Sequence, residues 1–260
     1  MELSTVGLDD ADLTVARWGH GEPKVVMLHD GLGSIDQWRS IPGDIAERTG
    51  RCVLAYDRPG HGKSTPVPSG PWPADWLHTE AKRLDRLLGE LEIRRPVLIG
   101  HSDGGSIALI HAAAVGAGTA ASDEPRGVLT LAAHSWVEQL CFDSIADMRN
   151  NTKAIVFGLA RSHPHPAEVF EAWSGAWVSD GFRPWDIRPI LHTITCPTVI
   201  AQGANDEYAS QDHAHQTAAA VGGDTPSVLL DGVGHLMHHQ DPDLVVDVVC
   251  DFVADRLGVS

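Results

Sequence analysis

The sequence predicts an α/β fold: a mainly parallel central sheet, helices on both of its faces, and a helical cap inserted over it. Three observations carry that expectation. Short apolar runs at residues 24–28 (KVVML), 52–56 (CVLAY), 97–99 (VLI), 127–132 (GVLTLA), 198–202 (TVIAQ) and 227–230 (SVLL) have the length and hydrophobicity of buried parallel strands. Stretches of helical character lie between them, and strand–helix alternation builds a parallel sheet covered on both sides. The alternation stops between about residues 134 and 191, a segment that holds Trp136, Trp173, Trp177 and Trp185 with Phe142, Phe157, Phe170 and Phe182. The chain therefore divides into a core of residues 1–133 and 191–260 and a helical cap of residues 134–190.

Residues 3–6 and 13–16 alternate around Gly7-Leu8-Asp9-Asp10 and read as an antiparallel hairpin. The run at 24–28 leads into a glycine-rich loop, His29-Asp30-Gly31-Leu32-Gly33-Ser34, and a short helix is expected over 41–48. The run at 52–56 opens into a loop of turn residues, Asp57-Arg58-Pro59-Gly60-His61-Gly62-Lys63-Ser64. Residues 66–73 (PVPSGPWP) read as a stiff proline-rich loop. Residues 76–93 set Leu77, Ala81, Leu84, Leu87, Leu88 and Leu91 at helical spacing, with Glu80, Arg83, Asp85, Arg86 and Glu90 on a wet face. A small-residue helix is expected over 102–114. The last helix starts at Asp241-Pro242, an N-cap followed by proline at the first helical position. It buries Leu244, Val245, Val248, Val249, Phe252 and Val253 on one side.

A formal net charge of −16 over 260 residues argues against nucleic acid and anionic membrane surfaces as partners, but it reads first as solubility through self-repulsion and says little about substrate; the partner expected is a small-molecule substrate. Cys52, Cys141, Cys196 and Cys250 are scattered, with no C-x-x-C pair, and read as reduced thiols of a cytoplasmic protein. The stretch MELSTVGLDDADL lacks the basic region and apolar core of a signal peptide, and no apolar run is long enough to span a bilayer. No cofactor and no metal site are expected. His238 and His239 cluster near His235, but without a cysteine or carboxylate at ligand spacing they read as surface residues beside a helix start.

The chemistry centres on residues 96–109 (PVLIGHSDGGSIAL), where an apolar strand meets Gly100-His101-Ser102-Asp103-Gly104-Gly105 and then a helix. Strand, G-x-S-x-G, helix is the nucleophile-elbow pattern. A serine at so sharp a turn nearly touches its neighbours two residues away, and glycines at 100 and 104 remove the Cβ atoms that would collide. The helix start turns backbone N–H groups towards any negative charge that develops nearby. A bare pentapeptide is equally a glycine-rich turn; its flanking strand and helix favour the catalytic reading. A serine hydroxyl needs a base, and the base needs an orienting acid. Two loops after strands remain downstream, Gly203-Ala204-Asn205-Asp206-Glu207 and Asp231-Gly232-Val233-Gly234-His235, giving the order Ser, acid, His.

These segments resemble the α/β-hydrolase superfamily. The resemblance covers nearly the whole chain and rests on LHDGLGS, YDRPGHGKS, GHSDGG, GANDEY and GVGHLMHHQDP, in the family's order. Within it the chain is similar to small bacterial serine hydrolases with a helical cap. The resemblance implies Ser102 as nucleophile, His235 as base and Asp206 as acid, ahead of the adjacent Glu207. It implies an oxyanion hole from the Asp103 N–H and a second N–H in the loop after His29, from Gly31 or from Leu32. Asp30 departs from the family's commoner His-Gly pair. His101 is expected to pack or orient, His29 to brace the loop, and Asp103 to cap its helix or contact substrate. Asp30, Leu32, Trp136, Trp173 and Trp177 are the candidate pocket residues. The reaction implied is hydrolysis of a carboxylic ester through an acyl-enzyme. A lactonase or thioesterase would use the same residues. A carbon–carbon bond hydrolase of ring-cleavage products is the alternative, with Arg161, Arg183 or Arg188 receiving substrate carboxylates. A non-catalytic small-molecule receptor on the same fold is the reading from another class.

Overall fold

A computed structural model describes residues 1–66 and 70–257. Within the expected loop at 66–73, Val67, Pro68 and Ser69 lie outside the described residues. The chain opens with the predicted hairpin, β1 (Glu2–Leu8) against β2 (Ala11–Trp18), with Val6 opposite Leu13. β3 (Pro23–Leu28), β4 (Cys52–Tyr56), β5 (Val97–His101), β6 (Gly127–Leu131), β7 (Thr198–Gly203) and β8 (Ser227–Leu230) complete one sheet, in the order β1-β2-β4-β3-β5-β6-β7-β8. β2 joins β4 antiparallel, and β4, β3, β5, β6, β7 and β8 run parallel.

The strand side chains alternate between two cores, as a period of two requires. Val26, Leu28, Leu54, Tyr56 and Leu98 point into one, beneath α2 (Trp76–Glu90), α3 (Asp103–Gly116) and α8 (Gln211–Val221). Val25, Met27, Val53, Ala55, Val97 and Ile99 point into the other, beneath α1 (Ile41–Thr49) and α10 (Pro242–Leu257). Burial on both faces is why these strands are apolar throughout. α10 begins as predicted: the Asp241 carboxylate accepts the Leu244 N–H at 3.0 Å, and Pro242 stands first in the helix.

Two features depart from expectation. Arg83, assigned to a wet face, is 8% exposed and ion-paired with Glu80 and Asp10. The helix α8 was not anticipated, because its buried face is built from His213, Ala214, Thr217, Ala218 and Val221, too small and polar to register as an apolar stripe. Between β6 and β7 run α4 (Gln139–Arg149), α5 (Thr152–Leu159), α6 (Pro166–Trp177) and α7 (Arg188–Leu191). Trp173, Trp177, Phe182 and Trp185 of this segment join the core on the α2–α3 side, so the aromatics anchor the helices to the sheet. Phe157 stands apart, 76% exposed on α5. No helix among the described residues is long and apolar enough to cross a membrane.

Candidate active site

The chemistry-bearing residues meet at the carboxyl edge of the sheet, where ligands of open α/β sheets bind. Ser102 follows β5 at φ 52°, ψ −121°, a conformation that costs a non-glycine residue of order 1–3 kcal/mol. Its N–H is tied to the Leu131 carbonyl at 2.8 Å. A Cβ at Gly100 would collide with the Gly104 carbonyl, and one at Gly104 with the Leu28 carbonyl, so the turn closes only with glycine at both places.

Ser102 Oγ donates to His235 Nε2 at 2.9 Å. On the far side of the ring, His235 Nδ1 lies 3.1 Å from each Asp206 oxygen. A carboxylate only accepts, so Nδ1 carries the proton and Nε2 offers its lone pair to the serine. Burial opposes a charge on His235, but the neighbouring Asp206 outweighs it and raises its pKa above the ordinary imidazole value. Burial likewise pushes Asp206 up, and His235 outweighs that, leaving its carboxyl below the ordinary range. The rival acid Glu207 bonds the backbone rather than the imidazole, accepting the His235 N–H at 3.1 Å.

The loop after β3 is fixed from several sides. Arg58, almost wholly buried, donates to the carbonyls of His29 and Asp30, and its own N–H donates to His29 Nε2 at 3.1 Å. His29 braces the loop in the expected way. His61 Nε2 donates to the Gly31 carbonyl and His163 Nε2 to the Leu32 carbonyl, both at 2.9 Å. The Leu32 N–H is already used, donating to Asp30 Oδ1 at 2.9 Å. Neither the Gly31 N–H nor the Asp103 N–H has an acceptor among the described residues.

A cavity of about 240 Å³ opens onto Ser102 and His235. Asp30, Gly31, Leu32, Asp103, Trp173 and Trp177 line it, as do Cys141, Ile145 and Met148 of α4 and Ile155 and Leu159 of α5. Those five were missed, although the i, i+4, i+7 stripe of Cys141, Ile145 and Met148 signals a helix face laid on something apolar. Trp136, the third expected tryptophan, lies elsewhere. It stacks on His213 with ring centroids 3.6 Å apart, and Arg188 covers its ring at 4.1 Å. Arg188 also pairs with Asp186, and Arg183 lies over Phe142; neither these two nor Arg161 lines the cavity.

Asp103 does not cap its helix. Its Oδ2 accepts the Trp173 indole N–H at 2.9 Å, its Oδ1 has no partner among the described residues, and burial pushes its pKa up to about 7. His238, read as a surface residue, is 2% exposed and so more buried than that reading allows. His101, expected to pack or orient, is wholly buried and donates from Nε2 to the His235 carbonyl at 2.8 Å. Ligand atoms of Asp30, His101 and His238 lie within 4.8 Å of one another.

Residues 25–248 match the profile of the alpha/beta hydrolase family. A serine hydrolase BPHL of Homo sapiens is 24% identical over 95% of this chain and 85% of its own length. An sn-1-specific diacylglycerol lipase ABHD11 of Danio rerio is 41% identical, but over 33% of this chain, and the match spans only 25% of that lipase. Among solved structures, a hydrolase from Pseudomonas aeruginosa PA01 superposes with a TM-score of 0.75 at 23% identity, covering 96% of this chain and 98% of that one. At that identity the likeness speaks to the fold alone.

Proposed function

The chain belongs to the alpha/beta hydrolase family, and from that premise we propose that it is a serine hydrolase cleaving a carboxylic ester of a small, largely apolar substrate through an acyl-enzyme. The observation that carries the reading is the unbroken chain of contacts from Ser102 Oγ through His235 to Asp206. Ser102 Oγ attacks the ester carbonyl as its proton passes to His235 Nε2. Asp206 holds the imidazole in the reactive tautomer and stabilises it once charged. The oxyanion forms against the N–H groups of Gly31 and Asp103. Leu32 is the poorer second donor, since its N–H already serves Asp30. His235 then gives its proton to the departing alkoxide, and a water, activated by the same imidazole, releases the acid and restores Ser102.

The lining bears on the substrate. Asp30 and Asp103 are both carboxyl groups beside the nucleophile, and no arginine among the described residues lines the cavity. That lining disfavours the anionic substrates of a carbon–carbon bond hydrolase. The unpartnered Asp103 Oδ1 calls for a polar partner on the bound substrate, because a buried carboxyl oxygen left unmatched is costly. A lactone or thioester would use the same residues. The segment 134–190 acts as a cap, with α4, α5 and α6 contributing to the cavity wall. Four buried, unpaired cysteines support a reducing, cytoplasmic setting, and the charge of −16 supports a small-molecule substrate over nucleic acid.

The test is turnover of p-nitrophenyl butyrate. The wild type is expected to hydrolyse it, and Ser102→Ala to lose at least about 10³-fold in kcat/KM. Full turnover in Ser102→Ala contradicts the assignment. Tight binding of intact ester without turnover by the wild type favours the receptor.

A further inference from the structure

The strongest group of side chains outside the serine, histidine and aspartate chain is Asp30, His101 and His238. They come from three places in the sequence: the loop after β3, the end of β5 and the helix α9 (Met237–Gln240). All three are largely buried, at 9%, 0% and 2% exposure. We propose that these residues form a binding site for one divalent transition-metal ion of the Zn²⁺ class, set against the wall of the substrate cavity.

The hydrogen bonds of His101 supply the first argument. Its Nε2 meets a carbonyl oxygen, that of His235, at 2.8 Å. A carbonyl cannot donate, so Nε2 carries the hydrogen and a neutral His101 turns the lone pair of Nδ1 outward. That lone pair faces Asp30 Oδ2, itself an acceptor, at 3.5 Å. Two acceptors facing each other in a buried place need a positive species between them. Were it a proton, the charge-assisted contact would be about 2.7–2.9 Å. A tetrahedral ion with bonds of about 2.0–2.2 Å holds its ligand atoms about 3.3–3.6 Å apart, and the observed separation fits that edge.

The surroundings supply the second. His238 Nδ1 is buried and has no hydrogen-bond partner among the described residues, nor has His101 Nδ1. The His101 and His238 rings are 4.5 Å apart and inclined at 61°, edge to face, and one nitrogen of each lies within 4.8 Å of the other and of an Asp30 oxygen. Histidines that bind metal typically donate their other N–H to a carbonyl, and ligating carboxylates are themselves hydrogen-bonded. His101 does the first, and Asp30 does the second through the Leu32 N–H at 2.9 Å. Two imidazoles and a carboxylate are a donor set that Zn²⁺ accepts, with a fourth position for water. Asp30 also lines the cavity, which gives an ion a route in. No ligand spacing announces this site in the sequence, because its carboxylate stands far from either histidine along the chain and arrives only through the fold.

The experiment is titration of chelator-treated full-length protein with Zn²⁺ by calorimetry, and with Co²⁺ by visible absorption. The wild type should bind one ion per chain and give the ligand-field bands of four-coordinate Co²⁺. Asp30→Asn keeps an acceptor for the Leu32 N–H, and His238→Gln keeps most of the ring's volume; each should weaken binding by at least about a hundredfold. Ser102→Ala should bind the ion as the wild type does, which separates this site from the hydrolytic reading. Circular dichroism establishes that each variant is folded, and the Asp30 substitution decides the matter if His238→Gln is not. Absence of saturable one-to-one binding in the wild type overturns the proposal and leaves a proton between Asp30 and His101. Equal affinity in wild type and Asp30→Asn also overturns it, tracing the binding to exposed histidines.

Discussion

Ser102, His235 and Asp206 stand on three different loops, yet each was legible from its place after an apolar run, because strand ends in this architecture all open on one edge. The electrostatics of the neighbours were not legible. In the proposed mechanism His235 must be neutral to accept the serine proton, so activity should fall as the pH drops through its pKa. That pKa is raised, so in chelator-treated enzyme the acid limb of kcat/KM should lie above about pH 6.5. Asp206→Asn removes the principal raising partner and should move the limb to lower pH, with a loss in kcat of about 10⁴-fold; a pH–rate profile of both enzymes checks it. Asp103 makes a separate, thermodynamic prediction. Its folded-state pKa of about 7 exceeds the unfolded value near 3.8, so between those values the folded state holds a proton that the unfolded state has lost. The contribution of Asp103 to stability is therefore lost as the pH rises from about 4 to 7 and levels off above, against the opposite trend of the buried neutral histidines His29, His61 and His134. Asp103→Asn should remove that contribution, so its Tm relative to the wild type should rise across this window in thermal melts.

The elements were more legible than their faces. Runs such as CVLAY and KVVML read as strands because a doubly covered sheet leaves no wet side to interrupt them. The helix α2 reads as a helix with a polar face, of which Arg83 alone is buried. The hairpin β1–β2 lies against that helix and brings the exposed Asp10 within 2.7 Å of Arg83, while Glu80 pairs with the same guanidinium from the buried side, so a residue that looks like solvent-facing charge is drawn inward. Helical periodicity cannot report which neighbour a polar face will meet. Arg83→Ala should leave Glu80 without its cation and lower stability by about 3 kcal/mol, measured by urea denaturation. α8 was missed for the converse reason, since alanine, threonine and histidine bury well at helical spacing without forming a hydrophobic stripe.

At the scale of the molecule, the sheet and the pause in its alternation were legible, whereas the contacts across distant segments were not. The cavity wall shows the difference. Trp173 and Trp177 of α6 line it, Trp173 bonded to Asp103 just past β5, while Trp136, in the same aromatic-rich segment, is drawn to His213 of α8. Composition could name the tryptophans but could not sort them. His163 likewise acts only through the fold: it leaves the segment after α5 to bond Leu32 and Gly62, tying the helices over the cavity to the loop that carries Gly31. All these contacts converge on one hydroxyl, and the most direct measurement is mass spectrometry after a fluorophosphonate probe. One adduct per chain on the peptide bearing Ser102, absent in Ser102→Ala and strongly slowed in His235→Ala, is the result expected. An unlabelled Ser102, or equal labelling in Ser102→Ala, contradicts the account.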